Sequence, residues 1–360
     1  MTSDRPFAIV ALTEGGADLA RRLAVEAGEE CVWLPERLRR EDGCRYFGAP
    51  AVEVLRRLFA EVDGLVCIMA AGIAVRALGP VLRGKDVDPA VVVLDEAGRF
   101  AVSLLSGHLG GANDLARELA ELTGGQAVIT TATDVAGLPA WDDVARRAGC
   151  TVEPLSQVKV LNGLLLRGES ITLVDRDGTV AAAFSGVPGV RRCGTFAEAL
   201  QVGAAGTVFV TNRCLPGVPD RPNLLVLRPR NLVVGIGCNR GTSAEEIRTV
   251  VAGELERAFL ALESVAGLAT IDAKADEPGL RAFARNLGLP IEYHSAERLN
   301  AVAAPAPPSA HALAAVGARG VCEPAALLSA GAASLLVNKR KNGNVTVAVA
   351  EIRSPVPGDG

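Results

Sequence analysis

Two short glycine-bearing phrases carry the residue types that could do chemistry. In LVVGIGCNRGTS, residues 232–243, an apolar run broken by two glycines leads into Cys238, Asn239, Arg240, Gly241, Thr242 and Ser243. In SLLSGHLGGAND, residues 103–114, a second apolar run leads into Ser106, Gly107, His108, Leu109, Gly110, Gly111, Ala112 and Asn113. The apolar spacing of an amphipathic helix follows each phrase. A strand that ends in a polar loop and feeds a helix exposes free backbone N–H groups, which favour a bound anion. Ser243 suits an N-cap, and Glu246 three residues later would complete a capping box. The glycine spacing is not GxGxxG, because Arg240 stands where the third glycine would fall and Gly241 follows it. An anionic ligand met by Arg240 fits better than a dinucleotide. His108 is the only histidine before His294, and an ordinary imidazole can move protons near neutral pH. The alternative is that it packs or caps its turn, with Asn113 as an N-cap, but its setting within GHLGGAN favours a site.

Three further clusters stand near the ends of expected strands. MAAGIAVR, residues 69–76, offers Gly72 and Arg76, with Lys85, Asp86 and Asp88 soon after. TIDAKADEPGL offers Asp272, Lys274, Asp276 and Glu277, where Glu277 before Pro278 suits the first turn of a helix. VGARGVCEPAALLSAG reads as a strand, then Cys322, Glu323 and Pro324, then a helix, and Lys339 ends a later strand. Ligands of open α/β sheets sit at the carboxyl ends of strands, so the last domain is expected to hold one cleft along that edge. His294 and His311 carry no motif and read as surface or loop residues. Neither a GxSxG elbow, a P-loop nor HExxH is found, which removes a serine triad and the common nucleotide and zinc-protease motifs.

The elements that must position these residues alternate. FAIVALT, CVWL, GLVCIMA, AVVVLD and FAVSLL read as buried strands, and GADLARRLAVEAG, PAVEVLRRLFAEV and ANDLARELAELTG as helices. That rhythm predicts a parallel sheet covered on both faces. It fades at residues 131–140. ITLVD, TVAAAFSG and TVFVTN suggest strands of a smaller unit, and CLPGVPDRPNLLVLRPRN, with four prolines, reads as a linker. From residue 232 the alternation resumes with LVVGIG, LATIDAK, IEYH, SLLVNK and VTVAVAEI, the last two joined by a hairpin at Asn342-Gly343. AVAAPAPPSA, residues 301–310, is too proline-rich for an inner element and reads as an exposed loop. The tail SPVPGDG is expected to fray. The fold class expected is α/β and multi-domain. An N-terminal sheet (1–137) and a C-terminal sheet (230–353), each with helices on both faces, flank a smaller α/β middle domain (138–229).

Composition bounds the function. A chain of 360 residues exceeds one ordinary domain, and 49% hydrophobic residues suffice for well-filled cores. Net charge is −4, so no broad basic surface advertises nucleic acid. Nothing reaches membrane-spanning length, and MTSDRPFAIVALTEGG reads as a strand and turn rather than a signal segment. Eight cysteines without a CxxC argue against a zinc cluster or disulfide framework and fit a reducing cytoplasm. The expectation is a cytoplasmic protein with no nucleic acid or membrane partner and no metal ligated by the chain.

Taken together, SLLSGHLGGAND, KDVDPAVVVLDEAGRFAV, VITTATD, GIGCNRGTSAEEI, TIDAKADEPGL, GVCEPAALL and VTVAVAEI resemble the cobalt-precorrin-5A hydrolase family (CbiG) of anaerobic cobalamin biosynthesis. The likeness follows the family's order along almost the whole chain, densest at 64–134 and 232–351 and thinnest at 140–230. It implies an enzyme that opens the δ-lactone of a cobalt corrinoid with water and releases acetaldehyde, giving cobalt-precorrin-5B. It also implies a C-terminal domain related to a stand-alone protein of the aerobic pathway. The cobalt would arrive within the substrate, with no cofactor bound by the protein itself. The implied partners are the small-molecule corrinoid and, in a transient hand-off, neighbouring methyltransferases. By residue type and loop position, His108 would be general base or acid, with Asn113 as an orienting donor. Gly72, Arg76, Ser106, Gly110, Gly111, Cys238, Asn239, Arg240, Gly241, Thr242, Lys274 and Glu323 would meet the substrate. A non-catalytic corrinoid carrier is the alternative. A nucleotide-dependent enzyme would rest on Gly235 and Gly237 alone.

Overall fold

Successive residues of the first strand point to opposite sides of a sheet, and both sides are apolar. Ile9 and Ala11 join one buried cluster while Ala8 and Val10 join another. That doubly buried pattern is what helices on both faces require. The computed structural model describes residues 7–25, 31–215, 221–303, 305 and 307–352. The chain forms two compact units, Met1–Arg146 with Leu165–Arg167, and Arg147–Leu164 with Gly168–Gly360.

The first unit contains β1 (Phe7–Ala11), α1 (Glu14–Leu23), β2 (Val32–Pro35), β3 (Arg45–Phe47), α2 (Ala51–Glu61), β4 (Gly64–Ile68) and α3 (Ala71–Leu78). It continues with β5 (Ala90–Leu94), β6 (Phe100–Leu105), α4 (Ala112–Thr123), β7 (Gln126–Val128), α5 (Ala132–Val135) and α6 (Trp141–Arg147). The strand order is β3-β2-β1-β4-β5-β6-β7. α1 and α4 cover one face and α2 and α3 the other. The sheet is not wholly parallel, as the alternation had predicted. β6 returns antiparallel to β5, and β7 follows β6. Only Asp95–Arg99 separate β5 from β6, too few residues for a crossover helix. This reversal moves the loop after β6 to the edge where β1 to β5 begin.

In the second unit, β8 (Cys150–Glu153), α7 (Ser156–Leu166), β9 (Ile171–Asp175), β10 (Val190–Arg192), α8 (Phe196–Gln201), β11 (Gly206–Val210) and β12 (Leu224–Pro229) come first. Their sheet runs β10-β9-β11-β12-β8, with β8 antiparallel to β12. Two expectations are corrected here. LLVLRP is not linker but β12, every residue of it buried, and TVAAAFSG holds a 3-10 turn at Ala181–Phe184 instead of a strand. Then follow β13 (Leu232–Cys238), α9 (Ala244–Arg257), β14 (Val265–Ile271), α10 (Pro278–Leu287) and β15 (Ile291–His294). The remaining elements are α11 (Ala296–Asn300), α12 (Ala310–Val316), α13 (Cys322–Ala330), β16 (Leu335–Asn342) and β17 (Val345–Glu351). The order is β15-β14-β13-β17-β16.

α9 and α10 cover one face of this last sheet; α13 lies on the other. α13 approaches very closely, since a Cβ on Gly235 would lie 1.8 Å from the Cys322 carbonyl oxygen. The two sheets of the unit are tied end to end by Asn212, whose Nδ2 donates to Asn231 Oδ1 (3.0 Å) and Glu351 Oε1 (2.6 Å). In VGARGV, Val316 ends α12 and residues 317–321 connect it to α13, so the phrase is not a strand. The β16–β17 turn is Gly343-Asn344, one residue later than expected, with Gly343 at φ +54°. SPVPGDG lies outside the described residues, as does the His311 side chain.

Candidate functional site

His108 sits in a polar cluster of the first unit. Its Nε2 is 2.9 Å from Asp134 Oδ2 and its Nδ1 is 3.4 Å from Asp142 Oδ1. Burial alone would depress the imidazole pKa, but the hydrogen bonds and charges of Asp142 and Asp134 outweigh it and raise the value to about 9. At neutral pH the ring is therefore an imidazolium, with both nitrogens facing carboxylates. In this state the ring can donate a proton and must lose one before it can accept. Asn113 does not cap its helix. Its Oδ1 accepts from Ser103 Oγ at 2.7 Å, and its Nδ2 donates to Thr131 Oγ1 at 3.1 Å and Asp134 Oδ2 at 3.0 Å. Asp134 also accepts from Thr131 and Arg117. Although burial opposes ionisation, the Thr131, His108 and Arg117 contacts hold its carboxyl below the usual range.

The loop glycines serve the loop itself. A Cβ on Gly107 would meet Asn113 Oδ1 at 2.7 Å, and one on Gly110 would meet Ser106 Cβ at 2.4 Å. Gly111 takes φ +88° before α4. The expected anion site at this helix start is filled by the chain. Ala112 N–H donates to the Ser106 carbonyl at 3.1 Å and Asn113 N–H to the Gly107 carbonyl at 3.0 Å. Ser106 has φ +57°, and its buried hydroxyl has no partner among the described residues. Gly110 and Leu109 wall a cleft of about 280 Å³ with Asp63, Lys85 and Asp88. Gly72 and Arg76 are not part of this cluster. They follow β4 at the opposite edge of the sheet, where Arg76 Nη1 donates to the Gly72 carbonyl at 3.0 Å.

The second unit holds a cleft of about 490 Å³ at the carboxyl ends of β13 and β14. Cys238, Asn239, Arg240 and Lys274 line it, together with Cys322, Lys339, Lys341 and Asn344. Its frame follows from local bonds. Ser243 caps α9 as expected, accepting from Glu246 N–H at 3.1 Å, but Glu246 does not close the capping box. Its Oε1 accepts instead from Asn344 N–H and Nδ2, each at 3.1 Å. Asn239 Nδ2 donates to Asn344 Oδ1 at 2.8 Å, so the hairpin tip is bound to the loop after β13. Gly241 and Thr242 brace that loop and do not line the cleft. Gly241 N–H donates to Glu277 Oε1 at 2.7 Å, and Thr242 Oγ1 to the Asn239 carbonyl at 2.7 Å. Glu277, 1% exposed, thus fills the anion position itself and holds Lys274 Nζ at 3.5 Å.

Arg240 Nη1 lies 3.1 Å from Asp276 Oδ2 with both side chains 68% exposed. Such a surface pair is weak and readily exchanged for a ligand carboxylate. Glu323 faces a smaller neighbouring cleft of about 210 Å³, and its Oε1 accepts from Lys339 N–H at 2.8 Å. Burial raises the Cys238 thiol pKa although nearby Lys274 opposes it, so the sulfur is held as a thiol. His294, expected at the surface, is fully buried.

Sequence reasoning missed Asp134, Asp142 and Lys341. Asp134 and Asp142 fall where the strand–helix rhythm fades; their signal was an acid-and-threonine run, TTATD, followed by WDD.

Comparison with known proteins sets these sites in context. Residues 53–134 match the family described as Cobalamin synthesis G N-terminal, 139–229 the Cobalamin biosynthesis central region, and 232–350 the Cobalamin synthesis G C-terminus. The chain is 35% identical over 361 residues to the cobalt-precorrin-5A hydrolase of Priestia megaterium, covering 98% of this chain and 96% of that one. It belongs to the cobalt-precorrin-5A hydrolase family. A relative from Salmonella typhimurium with the same name is 36% identical over 90% of this chain and 92% of its own. Protein CobE of a Sinorhizobium species is 38% identical over 121 residues, 33% of this chain and 79% of CobE. Within this family member, the His108–Asp134 contact lies inside the N-terminal match, whereas Asp142 falls in the central one. The lysine-bearing cleft lies wholly within the C-terminal match.

Proposed function

We propose that this chain hydrolyses the δ-lactone of cobalt-precorrin-5A and releases acetaldehyde, leaving cobalt-precorrin-5B. The observation that carries this reading is identity of 35% along 98% of the chain with a cobalt-precorrin-5A hydrolase. Water adds to the lactone carbonyl and the acyl C–O bond breaks, giving a carboxylate and a secondary alcohol. The alcohol then loses its proton as its carbon–carbon bond to the macrocycle breaks. Acetaldehyde departs, and the conjugated ring keeps the electron pair and takes up a proton. The cobalt belongs to the substrate and no step needs a cofactor held by the protein.

Two needs follow: a proton donor for the collapsing intermediates, and cations for the many side-chain carboxylates of a corrinoid. Protonated His108 suits the first, since its Nδ1 contact to Asp142, at 3.4 Å, is the looser of its two and the easier to exchange for substrate. Asn113 keeps Asp134 aimed at the ring. Arg240 suits the second, by exchanging its exposed partner Asp276 for a charge-assisted hydrogen bond to substrate, with Lys274 adding positive charge to the cleft.

The test is acetaldehyde release from anaerobically prepared cobalt-precorrin-5A. Wild type is expected to release it, and His108→Ala to lose about 10²–10⁴ in kcat while keeping its fold. Corrinoid binding by wild type without acetaldehyde would replace the hydrolase with a carrier. A near wild-type rate in the variant would remove His108 from the chemistry.

A further inference from the structure

The cleft at the end of β13 has a lopsided charge. Among the described residues that line it none is Asp or Glu, whereas Arg240, Lys274, Lys339 and Lys341 all line it, the first two paired with Asp276 and Glu277 outside the lining. The whole chain carries net charge −4, so this is a local concentration against the average. Ile271, Ala312, Ala315, Val316 and Val321 line the same cleft and give it apolar surface. Lys339 and Lys341 alternate along β16 and share a face, while Arg340 between them lines a different hollow. Neither lysine has a carboxylate within ion-pair distance among the described residues. Their backbone is fixed: the strand is irregular between Val337 and Arg340, and the Lys339 N–H freed there is taken by buried Glu323.

We propose that Lys339 and Lys341 are specificity residues that grip ionised side chains of the substrate. Arg240, whose pair with Asp276 is exposed, takes another, while the apolar residues of the cleft meet the edge of the ring. This rests on the hydrolase reading for the identity of the ligand, but the chemistry recognised, a carboxylate-bearing apolar plate, comes from the cleft. Glu323 is a positioning residue, acting through the Lys339 backbone.

The experiment titrates the full chain with cobyrinic acid, a stable corrinoid polycarboxylate, and with its fully methyl-esterified form, at low and high salt. Wild type is expected to bind the acid at least about tenfold more tightly than the ester, with salt narrowing the gap. Lys339→Ala/Lys341→Ala should lose roughly a hundredfold toward the acid and little toward the ester, about tenfold per charge-assisted contact. Lys339→Arg/Lys341→Arg should recover most of it. Unchanged melting of the variants checks the fold. Equal affinity for acid and ester, or an unaffected alanine variant, overturns the proposal. Acetaldehyde assays separate the two readings. If wild type releases acetaldehyde and the alanine variant keeps its KM, the lysine grip fails and the hydrolase stands. If wild type releases none but binding depends on charge as described, the hydrolase fails and the grip stands.

Discussion

His108 Nε2 lies 2.9 Å from Asp134 Oδ2 across 26 residues of sequence, and the same oxygen accepts Asn113 Nδ2 at 3.0 Å. One carboxylate therefore orients both residues that the GHLGGAN phrase singles out. It also binds the loop after β6 to the start of α5, and Asp142 closes the other side of the ring from α6. The cluster gives the imidazole a fixed charge, which a lone histidine on a flexible turn would lack.

That charge has a pH signature. Below the ordinary value of 6.5 the ring is protonated in folded and unfolded chains alike, and its pairing stabilises fully. Between 6.5 and about 9 the unfolded chain releases the proton and the folded chain keeps it, so the stabilisation declines as pH rises and is gone above about 9. His108→Gln should flatten the fall in melting temperature from about pH 7 to about pH 10. Identical slopes for wild type and variant would mean that the two carboxylates do not hold the ring in solution.

Ser106 offers a separate test of function against stability. A left-handed backbone at a non-glycine residue costs about 1 kcal/mol, and the buried hydroxyl gains no hydrogen bond in return. Ser106→Gly is expected to keep or raise the melting temperature by a few degrees, on the order of 1 kcal/mol, while acetaldehyde release falls. Full activity in the variant would make Ser106 incidental. Gly110→Ala should destabilise instead, since its Cβ would sit 2.4 Å from Ser106 Cβ.

The long apolar strands and amphipathic helices were legible because their period is written locally: ITLVD and LVVGIG are strands, and ANDLARELAELT is a helix. What depended on partners was not. The direction of β6 cannot be read from FAVSLL, because either direction buries the same residues; the short Asp95–Arg99 link was the available clue. β3, Arg45-Tyr46-Phe47, is too short and polar to show a period, and β12 was hidden by its flanking prolines. Cys238, Asn239, Arg240 and Lys274 line one cleft because each stands at or just after a strand end of one sheet. Gly72 and Arg76 parted from His108 because β6 runs the other way. The glycines were legible as constrained but not as to cause, since Gly107 and Gly110 are pressed by their own loop and Gly235 by α13.

Gly235 should be intolerant of the smallest change. A methyl group there would overlap the Cys322 carbonyl and lie 3.0 Å from Ala326 Cβ, forcing α13 away from β13. Because the contact is backbone, no side chain can turn aside, and Gly235→Ala is expected to cost at least about 2 kcal/mol. Gly48→Ala, where nothing lies within 4 Å, is the matched control and should be neutral. Chemical denaturation of both variants decides it; equal stability would mean that α13 packs more loosely than described.

His294 makes the opposite pH prediction to His108, and for the opposite reason. It is wholly buried at the end of β15, with Nε2 2.7 Å from Ser329 Oγ and Nδ1 without a partner among the described residues. Burial lowers its pKa below 6.5; Glu292, 3.6 Å from Nε2 and half exposed, opposes this, and Arg298 adds to it. The ring is therefore neutral at pH 7. As pH falls below 6.5 the unfolded chain takes up a proton that the folded chain refuses, so stability is lost on acidification until the folded pKa is reached. Replacing both partners, His294→Leu with Ser329→Ala, removes the titration without stranding a hydroxyl. The drop in melting temperature between about pH 7 and about pH 5 should shrink in that variant, while His108→Gln should not shrink it, because the His108 pairing only strengthens as pH falls through 6.5. A drop of wild-type size in the double variant would assign the acid sensitivity to another group and show that burial at β15 does not exclude the proton.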